Sequence, residues 1–188
     1  MPFDPTAYGP DISGIFALDG NGERLMPLAS GLCSSGDARA LLLSRDPGEW
    51  FPRARHAEAA LSGLLLYFSC LDESHEMSQR LKTIEGGYWH GIMHRQEPDR
   101  GNAAYWFRQV RSHAIHAPLA EAARVIAGAF PEAGVSLPAV WDAVRFVDIC
   151  EQARRRPGSA LEAFALRLQR AEWQLLFDHC ARGGGSVS

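Results

Sequence analysis

Apolar residues recur at three- and four-residue intervals through most of the chain, the repeat that places them on one face of an α-helix. The clearest run is Ala57, Ala60, Leu61, Leu64, Leu65, Phe68 and Leu71. This helix is expected either to continue to about Leu81 or to break near Asp72. A shorter one is expected over Asp37–Leu43, entered through Ser34 or Ser35 and stopped by Asp46-Pro47-Gly48. Gly86–Gln96 forms the next, stopped by Pro98, and Asp99 caps another from about Gly101 to Ser112. Pro118 suits the first turn of a helix ending near Phe130-Pro131.

Two more helices complete the pattern. Ser136 before Leu137-Pro138 opens one that carries Val140, Val144 and Val147. Ser159-Ala-Leu-Glu162 has the form of a capping box, in which serine and glutamate each satisfy an orphan amide. It starts a helix with Leu161, Phe164, Leu168, Ala171 and Leu175 at helical spacing, ended by Gly183–Gly185. No Val/Ile-rich stretch alternates strictly enough for a sheet core, and the short connections favour antiparallel neighbours. The expectation is an all-α, single-domain bundle of about six or seven helices over residues 35–182.

Residues 1–34 read as an irregular N-terminal arm. Asp19-Gly20 and Asn21-Gly22 are turn dipeptides, so Ile15–Leu18 and Arg24–Leu28 would pair as a short hairpin. The alternative is an extended arm whose apolar residues pack across the helical body. Residues 183–188, GGGSVS, read as a flexible tail.

Composition narrows the function classes. The length of 188 residues suffices for a buried core without staples. A net charge of -3 offers no positive excess for releasing counterions, so no nucleic-acid partner is expected. Lys82 is the single lysine, and the arginine bias is taken as codon usage rather than as a phosphate-binding signature. Cys33, Cys70, Cys150 and Cys180 form no C-x-x-C pair and read as buried free thiols. The longest apolar stretch, Leu61–Leu71, is too short to span a bilayer, and the opening residues carry no signal-peptide pattern. A cytoplasmic protein without membrane contact is therefore expected.

Chemistry concentrates between Asp72 and His116, which hold five of the seven histidines: His75, His90, His94, His113 and His116. His90 and His94 stand one turn apart, a spacing at which two imidazoles serve one zinc, iron or nickel ion. Glu97 continues that face, and Asp72, Glu73, His75 and Glu76 on the preceding helix are the nearest further donors. The candidate ligands of a divalent transition metal are thus His90, His94, Asp72 and Glu76. The competing reading is a packed amphipathic helix whose imidazoles hydrogen-bond to Asp72, Glu76 or backbone carbonyls. HGIMH lacks the glutamate of H-E-x-x-H metalloproteases. Arg95, Arg100, Arg108 and Arg111 flank the segment and either bind an anion or form a solvated face paired with Glu97 and Asp99.

Asn102–Arg108, NAAYWFR, resembles one helix of a Sel1-like or tetratricopeptide repeat, but no second copy exists to make an array. The longer string YWHGIMHR followed by NAAYWFR resembles a set of uncharacterised bacterial proteins expected to be helical. That resemblance, over about residues 55–125, implies a focal pocket of Tyr88, His90, His94, Arg95, Asn102, Tyr105, Trp106 and Arg108, and no activity. Three functions follow in order: a binding module for a small polar or anionic ligand, a metal-dependent hydrolase or oxygenase using His90 and His94, and an interaction protein without a small-molecule site.

Overall fold

The computed structural model describes residues 3–183, and the expected flexible tail beyond Gly183 lies outside them. The described residues form an all-helical fold with ten α-helices and no strand. They are α1 Pro10–Phe16, α2 Gly36–Leu42, α3 Pro47–Trp50, α4 Ala57–Tyr67, α5 Leu71–Ser78, α6 Ile84–Gln96, α7 Arg100–Val110, α8 His116–Ala129, α9 Ala143–Arg154 and α10 Ala160–Ala181. The surplus over six or seven comes from α1, α3 and the break between α4 and α5.

The start of the chain corrects the hairpin. Ile12, Ile15 and Phe16 are buried along one side of α1, with Pro10 in its first turn. Proline there sacrifices no hydrogen bond, so it begins a helix rather than preventing one. The Asp19–Gly22 dipeptides do make a turn, with Gly20, Asn21 and Gly22 all at positive φ. The turn ends against α4 instead of pairing two strands. The Tyr67 hydroxyl accepts from the amides of Gly22 at 3.0 Å and Arg24 at 3.2 Å, and it donates to the Asp19 carbonyl.

Side-chain caps set most other boundaries. Ser35, Thr83, Asp99, Asp142 and Ser159 each accept an amide of the helix they open. Asp142 corrects the expected sixth helix: residues 135–142 precede α9 rather than belong to it, and Val140 is 75% exposed. At α10 the Glu162 carboxylate accepts from the Gly158 amide at 2.6 Å, one residue before the expected capping-box partner. Asp46-Pro47-Gly48, read as a stop, begins α3, where Glu49 accepts from the Asp46 amide at 2.9 Å. Cys33 and Cys70 are joined in a disulfide, their Cα atoms 4.5 Å apart, which corrects the expectation of four free thiols. Cys150 and Cys180 are free and buried.

The 22-residue α10 packs against α4, α8 and α9, and α6 packs most extensively on α7. Phe16, Tyr67, Trp173 and Phe177 fill the space between α1, α4 and α10, with the Trp173 and Phe177 rings stacked 5.0 Å apart. Trp173 Nε1 donates to the Gly63 carbonyl at 2.7 Å, tying α10 to α4. Every residue of α6 from Glu85 to Gln96 is buried. Its polar side chains therefore face protein on every side, and two glycines permit this. A Cβ at Gly63 of α4 would stand 2.4 Å from the Trp89 ring, and one at Gly91 would stand 3.0 Å from the Phe107 ring. No described helix is long and apolar enough to cross a membrane.

Candidate functional site

Two sides of α6 carry different polar groups. On the side toward α5, His90 and His94 lie one turn apart and His75 of α5 comes against both. Each of the three offers a ring nitrogen within 4.8 Å of the other two. Ring centroids are 4.7 Å apart for His90–His94, 4.8 Å for His75–His90 and 5.6 Å for His75–His94. The cluster exists because Ser69, at φ 59°, turns the chain and starts α5, and Thr83 then starts α6 beside it.

The surroundings of these imidazoles differ. His94 Nδ1 lies 3.0 Å from the Glu97 carboxylate, which leaves Nε2 as its unengaged nitrogen. His90 is buried beneath Trp106, the rings 4.3 Å apart and 30° from parallel. Its Nδ1 is buried without a hydrogen-bond partner. Burial, with smaller effects from His94 and His75, pushes the His90 pKa down to about 4, so the ring is neutral at pH 7. A neutral imidazole is the form that ligates metals.

Asp72 and Glu76 stand apart from this grouping. Both are exposed on α5, and Glu76 pairs with Arg80 one turn on. Residues 72 and 76 are one turn apart and lie on the same flank of His75, about 60° and 100° round the helix from it, so the acids face solvent while the imidazole turns inward. Asp72 lines a surface cleft with Glu73, Glu97 and Asp99, which adjoins the cluster through Glu97.

On the side of α6 toward α10, Arg95 Nη2 donates to Glu172 Oε2 at 2.5 Å and the Tyr88 hydroxyl to Glu172 Oε1 at 3.1 Å. Neither the Arg95 nor the Glu172 side chain is exposed to solvent at all. The guanidinium lies 4.4 Å from the centre of the Phe146 ring. Burial opposes the charge of Arg95, but the Glu172 carboxylate outweighs it and holds the pKa above the ordinary value. Burial first, then the same carboxylate, drives the Tyr88 phenol far upward.

The eight residues expected to share a pocket are therefore divided. His90, His94 and Trp106 meet beside His75, whereas Tyr88 and Arg95 belong to the Glu172 network. Asn102, Tyr105 and Arg108 are exposed on α7, where Asn102 donates to Asp99. Among the flanking arginines Arg100 pairs with Asp148 of α9, and Arg108 and Arg111 are exposed. Glu172 was not foreseen, although a signal exists: an acid between Leu168 and Leu176 on the buried stripe of α10 must meet a cation or a donor. Comparison of the chain with protein-family models, curated proteins and solved structures finds no match.

Proposed function

We propose that the chain is a metal-binding helical protein whose centre is His75, His90 and His94, and that it takes a divalent transition ion of the zinc, iron or nickel class. The observation that carries this reading is the convergence of three imidazole nitrogens within 4.8 Å of one another, one ring being buried with an unpartnered Nδ1. Packing alone gives no reason for such a grouping, because a buried imidazole nitrogen without a partner costs about 1–3 kcal/mol. An ion supplies the missing partner. Glu97 on His94 is the kind of outer carboxylate that fixes the tautomer and orientation of a ligating histidine.

Three protein ligands leave coordination positions for water or a small polar ligand. An ion so held polarises bound water or a bound carbonyl, the chemistry of metal-assisted hydrolysis, and an iron ion would supply oxygen chemistry. The alternative of an anion held by arginine is less supported, because Arg95 is already matched by Glu172 and Arg100 by Asp148.

The test is metal stoichiometry. Purified full-length protein is stripped with a chelator, re-equilibrated with zinc, cobalt or nickel, and analysed for bound metal. His90→Ala and His94→Ala should each lose one molar equivalent, while Asp72→Asn and Glu76→Gln keep it. Unchanged metal content in both histidine variants would overturn the assignment.

A further inference from the structure

The two histidines outside the central segment, His56 and His179, also converge on an acid. Glu85, in the first turn of α6, has its Oε1 3.3 Å from His179 Nε2, 3.5 Å from His56 Nε2 and 3.7 Å from His113 Nε2. These groups come from four separate segments: the residue before α4, the start of α6, the connection between α7 and α8, and the last turn of α10. Among the described residues, Glu85 has no arginine or lysine partner, and the three imidazoles are its only ion-pairing groups.

Hydrogen bonding does not account for this arrangement. Only the His179 contact is a hydrogen bond, and a single carboxylate oxygen cannot serve three donors well. The spacing suits ligands instead. Nitrogen and oxygen ligands about 2.0–2.1 Å from a tetrahedral ion stand about 3.3–3.4 Å from one another. His56, Glu85 and His179 each place a ligand atom within 4.8 Å of the other two.

His113 gives an independent indication. Its Nδ1 accepts from the Ile115 amide at 3.3 Å, and an amide nitrogen only donates, so in the neutral ring the proton sits on Nε2. That N–H is buried and aimed at the site, yet it has no hydrogen-bond partner. The His113 side chain is 3% exposed, so solvent does not satisfy it. A water or hydroxide on an ion held by the other three residues is the acceptor it lacks.

We infer that His56, Glu85 and His179 form a second divalent-cation site, of the two-histidine, one-carboxylate type that suits zinc, with an exchangeable water in the remaining position facing His113 Nε2. The carbonyl end of α10, where His179 stands, favours a cation. The half-buried His56 and His179 leave the site open to solvent beside a groove lined by Arg55, Leu81 and Thr83. This site shares no ligand with the His75 centre and stands or falls without it.

The experiment separates the two sites. Metal-stripped full-length protein is titrated with zinc, and bound metal is counted after gel filtration, with folding checked by circular dichroism. The His90→Ala/His94→Ala protein should retain one equivalent. Adding Glu85→Gln, or separately His56→Ala at a partly exposed position, should reduce that to none. Cobalt in the His90→Ala/His94→Ala background should give the intense visible absorption of four-coordinate cobalt, lost on adding either change. The inference is overturned if the His90→Ala/His94→Ala protein binds no metal, or if Glu85→Gln and His56→Ala both leave its metal content unchanged.

Discussion

Arg95 shows how residue chemistry and residue role separate. In the sequence it stands one position after His94 and looks like a hand for an anionic ligand. In the fold its charge is consumed by Glu172, 77 positions away, with both side chains wholly buried. Removing two charges from water is expensive, and their attraction repays this only while both are present. Glu172→Ala should therefore destabilise the protein by about 3–5 kcal/mol by stranding a buried guanidinium. Arg95→Met combined with Glu172→Leu should cost much less than the two single changes added together. Urea denaturation of Glu172→Ala, and of the wild type, Arg95→Met, Glu172→Leu and the double variant as a cycle, checks this, and additive effects in the cycle would remove the coupled pair from the account. The same reasoning explains what could be read in advance. His90 and His94 share a helical face by their spacing alone, so two of the three imidazoles proposed for the His75 centre were legible, and His75 was one of four donors named on the preceding helix. The partners of Arg95, and the meeting of His56 with His179, depend on contacts across the whole chain, which no spacing rule encodes.

Elements were more legible than sites wherever a local interaction decides a boundary. Asp99 and Ser159 cap the helices they were expected to cap, and a break near Asp72 was one of two alternatives for the second helix; it falls at residues 68–70, just before α5. The failures also have local causes. Pro10 and Gly14 disguised a buried stripe of Ile12, Ile15 and Phe16, and Ser136-Leu137-Pro138 imitated a helix start that Asp142 performs six residues later. Packing distance between elements is a third kind of information, carried here by glycine. At Gly91 a methyl group would stand 3.0 Å from the Phe107 ring, between α6 and α7. Overpacking of this kind typically costs about 1–3 kcal/mol, which outweighs the gain of less than about 1 kcal/mol from alanine's better helix propensity. Gly91→Ala should thus lower the melting temperature, and it should also reduce metal affinity, because His90 and His94 flank the displaced turn. Gly128→Ala on α8, where nothing lies within 4 Å of the added carbon, is the control and should hold or raise the melting temperature. Equal effects at the two positions would contradict the close approach of α6 and α7.

For the molecule as a whole, the histidines make stability a function of acidity. Burial pushes His90 and His113 from the ordinary 6.5 down to about 4, and burial also lowers His116. In the unfolded chain these rings take up protons near pH 6.5, whereas in the folded protein His90 and His113 remain neutral until about pH 4. Through that window the unfolded state binds more protons, so the free energy of unfolding falls as the pH falls. Below about pH 4 these two rings are protonated in both states and the loss levels off. Allowing for solvent near the rings, His90 and His113 should each remove about 1–2 kcal/mol between pH 6.5 and 4. Urea denaturation of chelator-treated protein at pH 7, 5.5 and 4 measures this, and a flat profile across that range would contradict the burial of the imidazoles. Zinc should steepen the profile rather than shift it uniformly, because protons and metal compete for the same nitrogens. At neutral pH a metal concentration one hundred times the dissociation constant adds about 2.7 kcal/mol, a gain that disappears as the ligands are protonated. Zinc that stabilised the protein equally at pH 7 and pH 4.5 would have to bind through groups other than these histidines.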